Sequence, residues 1–345
     1  TGNVGREVLN IIDERNFPVK EIFALASKNS EGKKITYGND KTITAQNLEK
    51  FDFKNTDIVI SSPGSEVSKV YVPKATKAGA VVIDNTSYFR MEKDIPLIVP
   101  EVNPKEISKF KKKKIIANPN CSTIQLVTVL KPIHDAFSIK RVVVSTYQST
   151  SGAGKKAMDE LFNQTLDVYK NKHLKSKIFT KRIAFNLIPH IDKFLEDGYT
   201  KEEKKMSEET KKILDSKIKL SATCVRVPVF IGHAEAVNIE TKKQVSPEEL
   251  REVLDNAPGV SVVDSRIDGG YVTPDETTGE DEVFVSRVRS DITVKHGVSL
   301  WIAADNLRKG AALNSVQIAE ELIKYLKWVR ILKVDFSKII YSEKL

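Results

Sequence analysis

The sequence predicts an α/β chain in two parts: a doubly wound parallel sheet, then a second α+β domain with a mostly antiparallel sheet. Three observations carry this. The 345 residues suit about two domains. Up to residue 117, short apolar runs alternate with helical patterns, as in parallel sheets covered on both faces. Beyond residue 140, several candidate strands alternate apolar and polar residues, as in a sheet with one wet face.

Each element follows in order. Thr1-Gly2-Asn3-Val4-Gly5 leads at once into a helical pattern, with Val8, Leu9, Ile11 and Ile12 apolar. Gly2 and Gly5 fit the end of a glycine-rich loop that opens a helix and aims backbone N–H groups at a pyrophosphate. Such a loop normally follows a strand and a first glycine, so residues preceding Thr1 are expected in the natural protein. Residues 21–26 read as a buried strand. It ends in Ser27-Lys28-Asn29-Ser30, where a Rossmann-type domain meets the adenosine ribose. Ser and Lys in place of an acid suit a 2′-phosphate, hence NADP; a plain polar loop is the competing reading. Strands follow at residues 57–60, 80–84, 97–99 and 115–117, with a helix over residues 66–78. Ligands in such sheets sit beyond the carboxyl ends of strands. Residues 61–65, 85–90 and 118–121 all occupy such ends.

In the second half, strands are expected at residues 141–148, 222–229, 234–241, 260–264, 283–289 and 299–304. Helices are expected over 155–168 and 312–325. Residues 273–282 are acidic and read as an exposed loop. The tail from Val329 to the end carries strand-like apolar residues and matches nothing placeable.

Composition narrows the function. The net charge is +9, from lysines spread along the chain. A nucleic-acid binder would want a clustered basic face with aromatics, and aromatics are only 7%. A solvated lysine-rich surface that helps collect anionic substrates is the better account. No apolar run reaches the ~18 residues of a membrane span and no signal peptide opens the chain, so a cytoplasmic location is expected. Two cysteines make no disulfide framework.

The centre of the sequence is Asn118-Pro119-Asn120-Cys121-Ser122-Thr123. Pro119 ends a strand, Ser122 and Thr123 suit a helix start, and residues 124–130 suit a buried helix. A thiol on the first turn of a helix is pushed towards thiolate, the form that attacks carbon. A small buried cysteine is the competing reading there; Cys224, in an apolar strand, keeps that structural reading. Arg226 and His233 flank a broken apolar segment. Regular strand geometry would put positions seven apart on opposite faces, but Pro228 and Gly232 make it irregular. His suits acid/base work near neutral pH and Arg suits bidentate carboxylate binding, against a structural His and a surface Arg. Glu209 and Lys212 share a helix face, and an exposed ion pair is the commoner meaning of that spacing.

Together these residues resemble the aspartate-β-semialdehyde dehydrogenase family. The matching motifs run in order along nearly the whole chain: Asp84-Asn85-Thr86-Ser87-Tyr88-Phe89-Arg90, Val99-Pro100-Glu101-Val102-Asn103, the Cys121 stretch, Ser145-Thr146-Tyr147-Gln148, Ser151-Gly152-Ala153-Gly154, Glu209-Thr210-Lys211-Lys212-Ile213, residues 226–233, and Asp305-Asn306-Leu307-Arg308-Lys309-Gly310-Ala311-Ala312.

The resemblance implies a glyceraldehyde-phosphate-dehydrogenase-like fold. Residues 1–119 with 313–345 would form the NADP-binding domain, and residues 120–312 the catalytic and dimerisation domain of a homodimer or tetramer. It implies NADP- and phosphate-dependent interconversion of aspartate semialdehyde and aspartyl 4-phosphate, on the route to lysine, threonine and methionine. Carried over, Cys121 is the nucleophile, Gln148 orients the thioester and His233 is the acid/base. Arg226 holds the substrate carboxylate and Glu209 its amino group, while Arg90, Asn120 and Lys212 hold phosphate. Cofactor contacts would fall on Thr1, Gly2, Asn3, Val4, Ser27, Lys28, Ser30, Ser62, Ser151, Gly152 and Asn306. No metal, nucleic-acid or membrane partner is implied. Lys28-Asn29 stands where family members often carry Arg, which leaves NADP less firmly implied than the chemistry. The rivals are another Cys-dependent acyl-phosphate reductase, such as an N-acetylglutamyl-phosphate reductase or a glyceraldehyde-phosphate-type enzyme, and a non-catalytic nucleotide- or nucleic-acid-binding protein.

Overall fold

The computed structural model describes residues 2–332. Two compact units emerge: residues 1–119 with the segment starting at 312, and residues 120–311.

The first unit opens with helix α1 (Asn3–Glu14), which buries Val8, Leu9 and Ile11. Strand β1 (Ala24–Ala26) pairs in parallel with β3 (Lys41–Asn47), which also pairs antiparallel with β2 (Lys34–Tyr37). A second sheet is wholly parallel, in the order β4 (Ile58–Ser61), β5 (Val81–Asp84), β6 (Ile115–Ala117). Helix α2 (Ser65–Ala78) links β4 to β5 and ends at Gly79, whose φ of 116° is left-handed and suits glycine. Helix α7 (Leu313–Leu332) packs Ile318, Ala319 and Leu322 against Ile83, Ile98 and Ile116. A bidentate pair from Arg15 to Glu320 ties α1 to α7.

The second unit is built on a six-stranded sheet in the order β10 (Val260–Val262), β11 (Val283–Ser290), β12 (Gly297–Ala304), β9 (His233–Thr241), β7 (Ile139–Gln148), β8 (Lys219–Arg226). The three inner pairings are antiparallel; the outer pairs β10–β11 and β7–β8 are parallel. Helix α3 (Cys121–Phe137) lies in the core of this unit, with every residue from Ser122 to Leu130 buried. Helices α4 (Lys155–Tyr169), α5 (Lys201–Ile213) and α6 (Pro247–Asp255) complete it. Both α5 and α6 begin with a capping box, Thr200 with Glu203 and Ser246 with Glu249.

The expected doubly wound parallel sheet and the second, mostly antiparallel sheet are both present. Several details differ. Residues 97–99 make no strand: Leu97 forms a single bridge to Ala117, because the Asn103 side chain takes the Val99 N–H and donates to the Leu97 carbonyl. The strand over 21–26 shrinks to three residues. The β2–β3 hairpin and α6 were not expected, although the alternation in Ile35-Thr36-Tyr37, the Gly38-Asn39-Asp40 turn and Ser246-Pro247 are legible signals. Residues 273–282 are not simply an exposed loop: Thr277 is buried and the Gly279 N–H donates to Asp305. Helix α7 runs beyond 325 to Leu332, so the first residues of the tail are helical. The rest of that tail lies outside the described residues.

Candidate active site

The strand order resolves how Arg226 and His233 converge. Strand β7 lies between β8 and β9, so the chain leaving β8 must cross β7 to start β9. Gln148, last on β7, is in register with Arg226, last on β8, while Tyr147 faces Ala234 on the other side. Arg226, Gln148 and His233 therefore stand side by side at one end of three adjacent strands. Pro228 has no N–H to extend the ladder. Gly232, at φ 90°, allows the return: a Cβ there would sit 2.2 Å from the Pro274 carbonyl oxygen.

The loop after β7 holds His233. The Ser149 N–H donates to its Nδ1 at 3.1 Å, so the neutral ring carries its proton on Nε2. Burial, then the charge of Arg226, lower its pKa to about 3. Its Nε2 is buried with no hydrogen-bond partner among the described residues. Gly152 passes directly over it: a Cβ at 152 would stand 3.0 Å from Arg226 Nη1 and 3.1 Å from His233 Nε2. Asn306 fastens this loop. Its Oδ1 accepts from Ser149 Oγ, Ser151 Oγ and the Gly232 N–H, at 3.0, 3.0 and 2.9 Å.

Cys121 opens α3, half-buried. The preceding Asn120 is the N-cap, its Oδ1 accepting from the Ser122 and Thr123 N–H groups. Helix α5 supplies two buried carboxylates to this end. Glu209 accepts from the Asn120 N–H at 2.7 Å, and Glu202 accepts from Asn120 Nδ2 at 2.8 Å. Glu202 also takes bonds from Gln148 Nε2 at 3.4 Å and Lys205 Nζ at 3.1 Å. Burial opposes its charge, but Lys205, Asn120 and Arg226 together hold its pKa below the usual value. Arg226 in turn feels Glu202 and Cys121, and its Nη1 donates to the Ser149 carbonyl. One anionic hub thus ties the Cys121 turn to the Gln148 and Arg226 strand ends.

Gly310, in the π-helical turn Arg308–Ala312, packs on the same cysteine: a Cβ there would lie 2.8 Å from Cys121 Cβ.

A family model described as semialdehyde dehydrogenase, dimerisation domain, matches residues 130–309, and one described as semialdehyde dehydrogenase, NAD binding domain, matches residues 1–110. An aspartate-semialdehyde dehydrogenase of Aquifex aeolicus is 56% identical over 94% of this chain and 96% of its own length. The chain belongs to the aspartate-semialdehyde dehydrogenase family. Among solved structures, aspartate semialdehyde dehydrogenase II from Vibrio cholerae, complexed with ASA, superposes with a TM-score of 0.91 at 49% identity, over 94% of this chain and 96% of that one. The Candida albicans enzyme with NADP gives 0.72 at 28% identity, over 94% and 96%. This family member is accordingly an oxidoreductase.

The other expected residues of this dehydrogenase chain fall as follows. Arg90 is buried in the first unit, its guanidinium donating to the Asn118 and Asn85 carbonyls at 2.9 and 2.7 Å. Asn118, Asn85, Asn314 and Ser315 form a hydrogen-bonded cluster around the same strand ends. Gly2 is the N-cap of α1, which has no side-chain cap and no acid in its first turn, where Asn3 and Val4 lie. Ser27, Lys28 and Ser30 make the 3-10 turn after β1, and exposed Ser62 follows β4. Thr1 lies outside the described residues. Lys212 is half-buried on α5. Glu209 is buried, so the exposed surface pair that its spacing to Lys212 suggested is not formed there.

Sequence reading missed Glu202, which carries no signal beyond its place before the capping-box Glu203. It also missed Ser149, whose part is played by a backbone N–H that no side-chain pattern announces. Gly310 sat within a recognised motif with no role attached.

Proposed function

We propose that this chain interconverts L-aspartate 4-semialdehyde and L-4-aspartyl phosphate through a thioester on Cys121, with NADP and phosphate, serving lysine, threonine and methionine synthesis. The observation that carries this reading is the Glu202 hub, which joins the Asn120–Cys121 turn to Gln148 and faces Arg226.

In the reductive direction the Cys121 thiolate attacks the acyl-phosphate carbon. The C–S bond forms, the C–O bond to phosphate breaks, and phosphate leaves. Asn120, Lys212 and Arg90 are the groups suited to that anion. The thioester is positioned by Gln148, whose amide is already oriented by Thr146 and Glu202. His233, neutral with its proton at Nε2, is the acid/base residue and presents that N–H to the oxygen where negative charge develops. Arg226 forks the substrate carboxylate and Glu209 takes its ammonium. The reduced cofactor, NADPH, would supply the hydride that turns the thioester into the aldehyde, with the Cys121 thiolate as the leaving group.

The residues of the first unit suit a nicotinamide dinucleotide. The uncapped first turn of α1 offers N–H groups to a pyrophosphate, and Lys28 beyond β1 suits a 2′-phosphate. This unit is the cofactor domain on our reading; the second is catalytic and carries the homodimer interface, in line with the dimerisation-domain match.

The test is NADP reduction with aspartate semialdehyde, with and without phosphate, repeated with NAD. Phosphate-dependent turnover favouring NADP is expected. Turnover independent of phosphate would overturn phosphate as the acyl acceptor from the thioester, and an NAD preference would overturn the reading of Lys28. Arg226→Lys should raise KM more than it lowers kcat, because the fork is lost; an unchanged KM would remove Arg226 from carboxylate binding.

A further inference from the structure

Behind the reacting pair lies a group with no place in the chemistry above. Glu235, on β9, is fully buried, and neither carboxyl oxygen has a hydrogen-bond partner among the described residues. It sits two residues after His233, so both project from the same face of the strand. Its register partner on β7 is Thr146, whose Oγ1 accepts from Gln148 Nε2.

Facing it from α3 is Gln125, whose two amide atoms are also buried without partners at hydrogen-bond distance. Gln125 stands four residues after Cys121, on the same helix face. Among the described residues no cation offsets a charge on Glu235: burial raises its pKa well above the usual value and only Gln125 counters this. Cys224 on β8 lies near enough for a charge on Glu235 to act on its thiol.

A carboxylic acid and a primary amide are complementary: acid O–H to amide carbonyl, and amide N–H to acid carbonyl. An ionised carboxylate could accept from the amide but would leave a buried charge unpaired.

We propose that Glu235 is a positioning residue, a neutral acid that pairs with Gln125 and latches the helix carrying Cys121 to the strand carrying His233. The latch holds the Cys121 turn in place relative to the His233 imidazole. The inference rests on Cys121 and His233 being the reacting groups, so its main readout does not require turnover: the pH dependence of Cys121 alkylation by iodoacetamide, followed by mass spectrometry of the full chain.

Three variants decide it. Glu235→Gln keeps an amide that can pair reciprocally with Gln125. It should retain most of the turnover and leave the alkylation profile unmoved. Glu235→Leu fills the space without the latch. It should shift the alkylation profile and lower kcat about tenfold, with little change in KM. Gln125→Leu should copy it. Stability gives a further sign. The native acid keeps its proton while the unfolded one ionises above about pH 4.3, so Glu235 costs stability as pH rises through neutrality. Glu235→Gln should therefore gain thermal stability over wild type at pH 8 and lose that gain near pH 4. An alkylation profile unchanged in Glu235→Leu would overturn the latch. So would damage in Glu235→Gln equal to that in Glu235→Leu. A Glu235→Gln gain that is equal at both pH values would overturn the neutral acid. Loss of turnover in wild type with an intact alkylation profile would instead count against the thioester reading alone.

Discussion

Cys121 and Cys224 belong to the same unit and have opposite surroundings. Cys121 is half-buried on the first turn of α3, with a capped backbone behind it and the Arg226 charge acting on it. Cys224 is sealed inside β8, its sulfur 3.7 Å from Met206 Sδ and its backbone N–H donating to Glu203. Burial, then the carboxylates of Glu202 and Glu203, push the Cys224 thiol far up. The same side chain is thus offered as a nucleophile in one place and kept as an inert hydrophobe in the other. What differs is the sign of the nearby charge and access to solvent.

That contrast can be broken most severely by Cys121→Ala. Phosphate-dependent turnover should fall by roughly a thousandfold or more while NADP binding persists; substantial residual turnover would remove Cys121 from the chemistry. A subtler break is Gly310→Ala, which leaves the thiol and crowds it. The added methyl overlaps Cys121 Cβ, so the first turn of α3 must shift, and kcat/KM should fall by about a hundredfold. Normal kinetics in a folded Gly310→Ala protein would show that the close packing is dispensable.

The charge side of the comparison can be read through pH. His233 has a native pKa lowered to about 3, against about 6.5 unfolded. Its contribution to stability is complete above pH 6.5 and is lost as pH falls from there towards 3, several kcal/mol at most. Urea unfolding at pH 8, 6 and 4 should show wild type losing stability relative to His233→Gln on acidification. Parallel curves would mean the imidazole titrates normally. The smallest effect belongs to the second cysteine: Cys224→Ala should cost about 1–2 kcal/mol of stability and leave kinetics intact. Slowed turnover there would give β8 a part beyond packing.

How much of this was legible differs by element. The Cys121 turn was readable because its signals are local: a strand stop at Pro119, a capping Asn120, a buried helix after it. The carboxyl-end loops at 61–65, 85–90 and 118–121 were readable from alternation alone, and the strands end at Ser61, Asp84 and Ala117. The bridge at Leu97 was not, because an apolar run looks like a strand until one side chain, Asn103, takes its hydrogen bonds.

By itself the sequence determined which residues could react and where the Cys121 helix begins, since caps, breakers and periodicity act over a few residues. It left open whether Arg226 and His233 meet, because seven positions along a regular strand point opposite ways. Only the insertion of β7 between β8 and β9 brings them together. It gave no sign of Glu202 or Glu235, whose surroundings are made by residues far away in the chain. Burial sets both the pKa and the hydrogen-bond needs of such groups, and burial is a property of the packed tertiary structure.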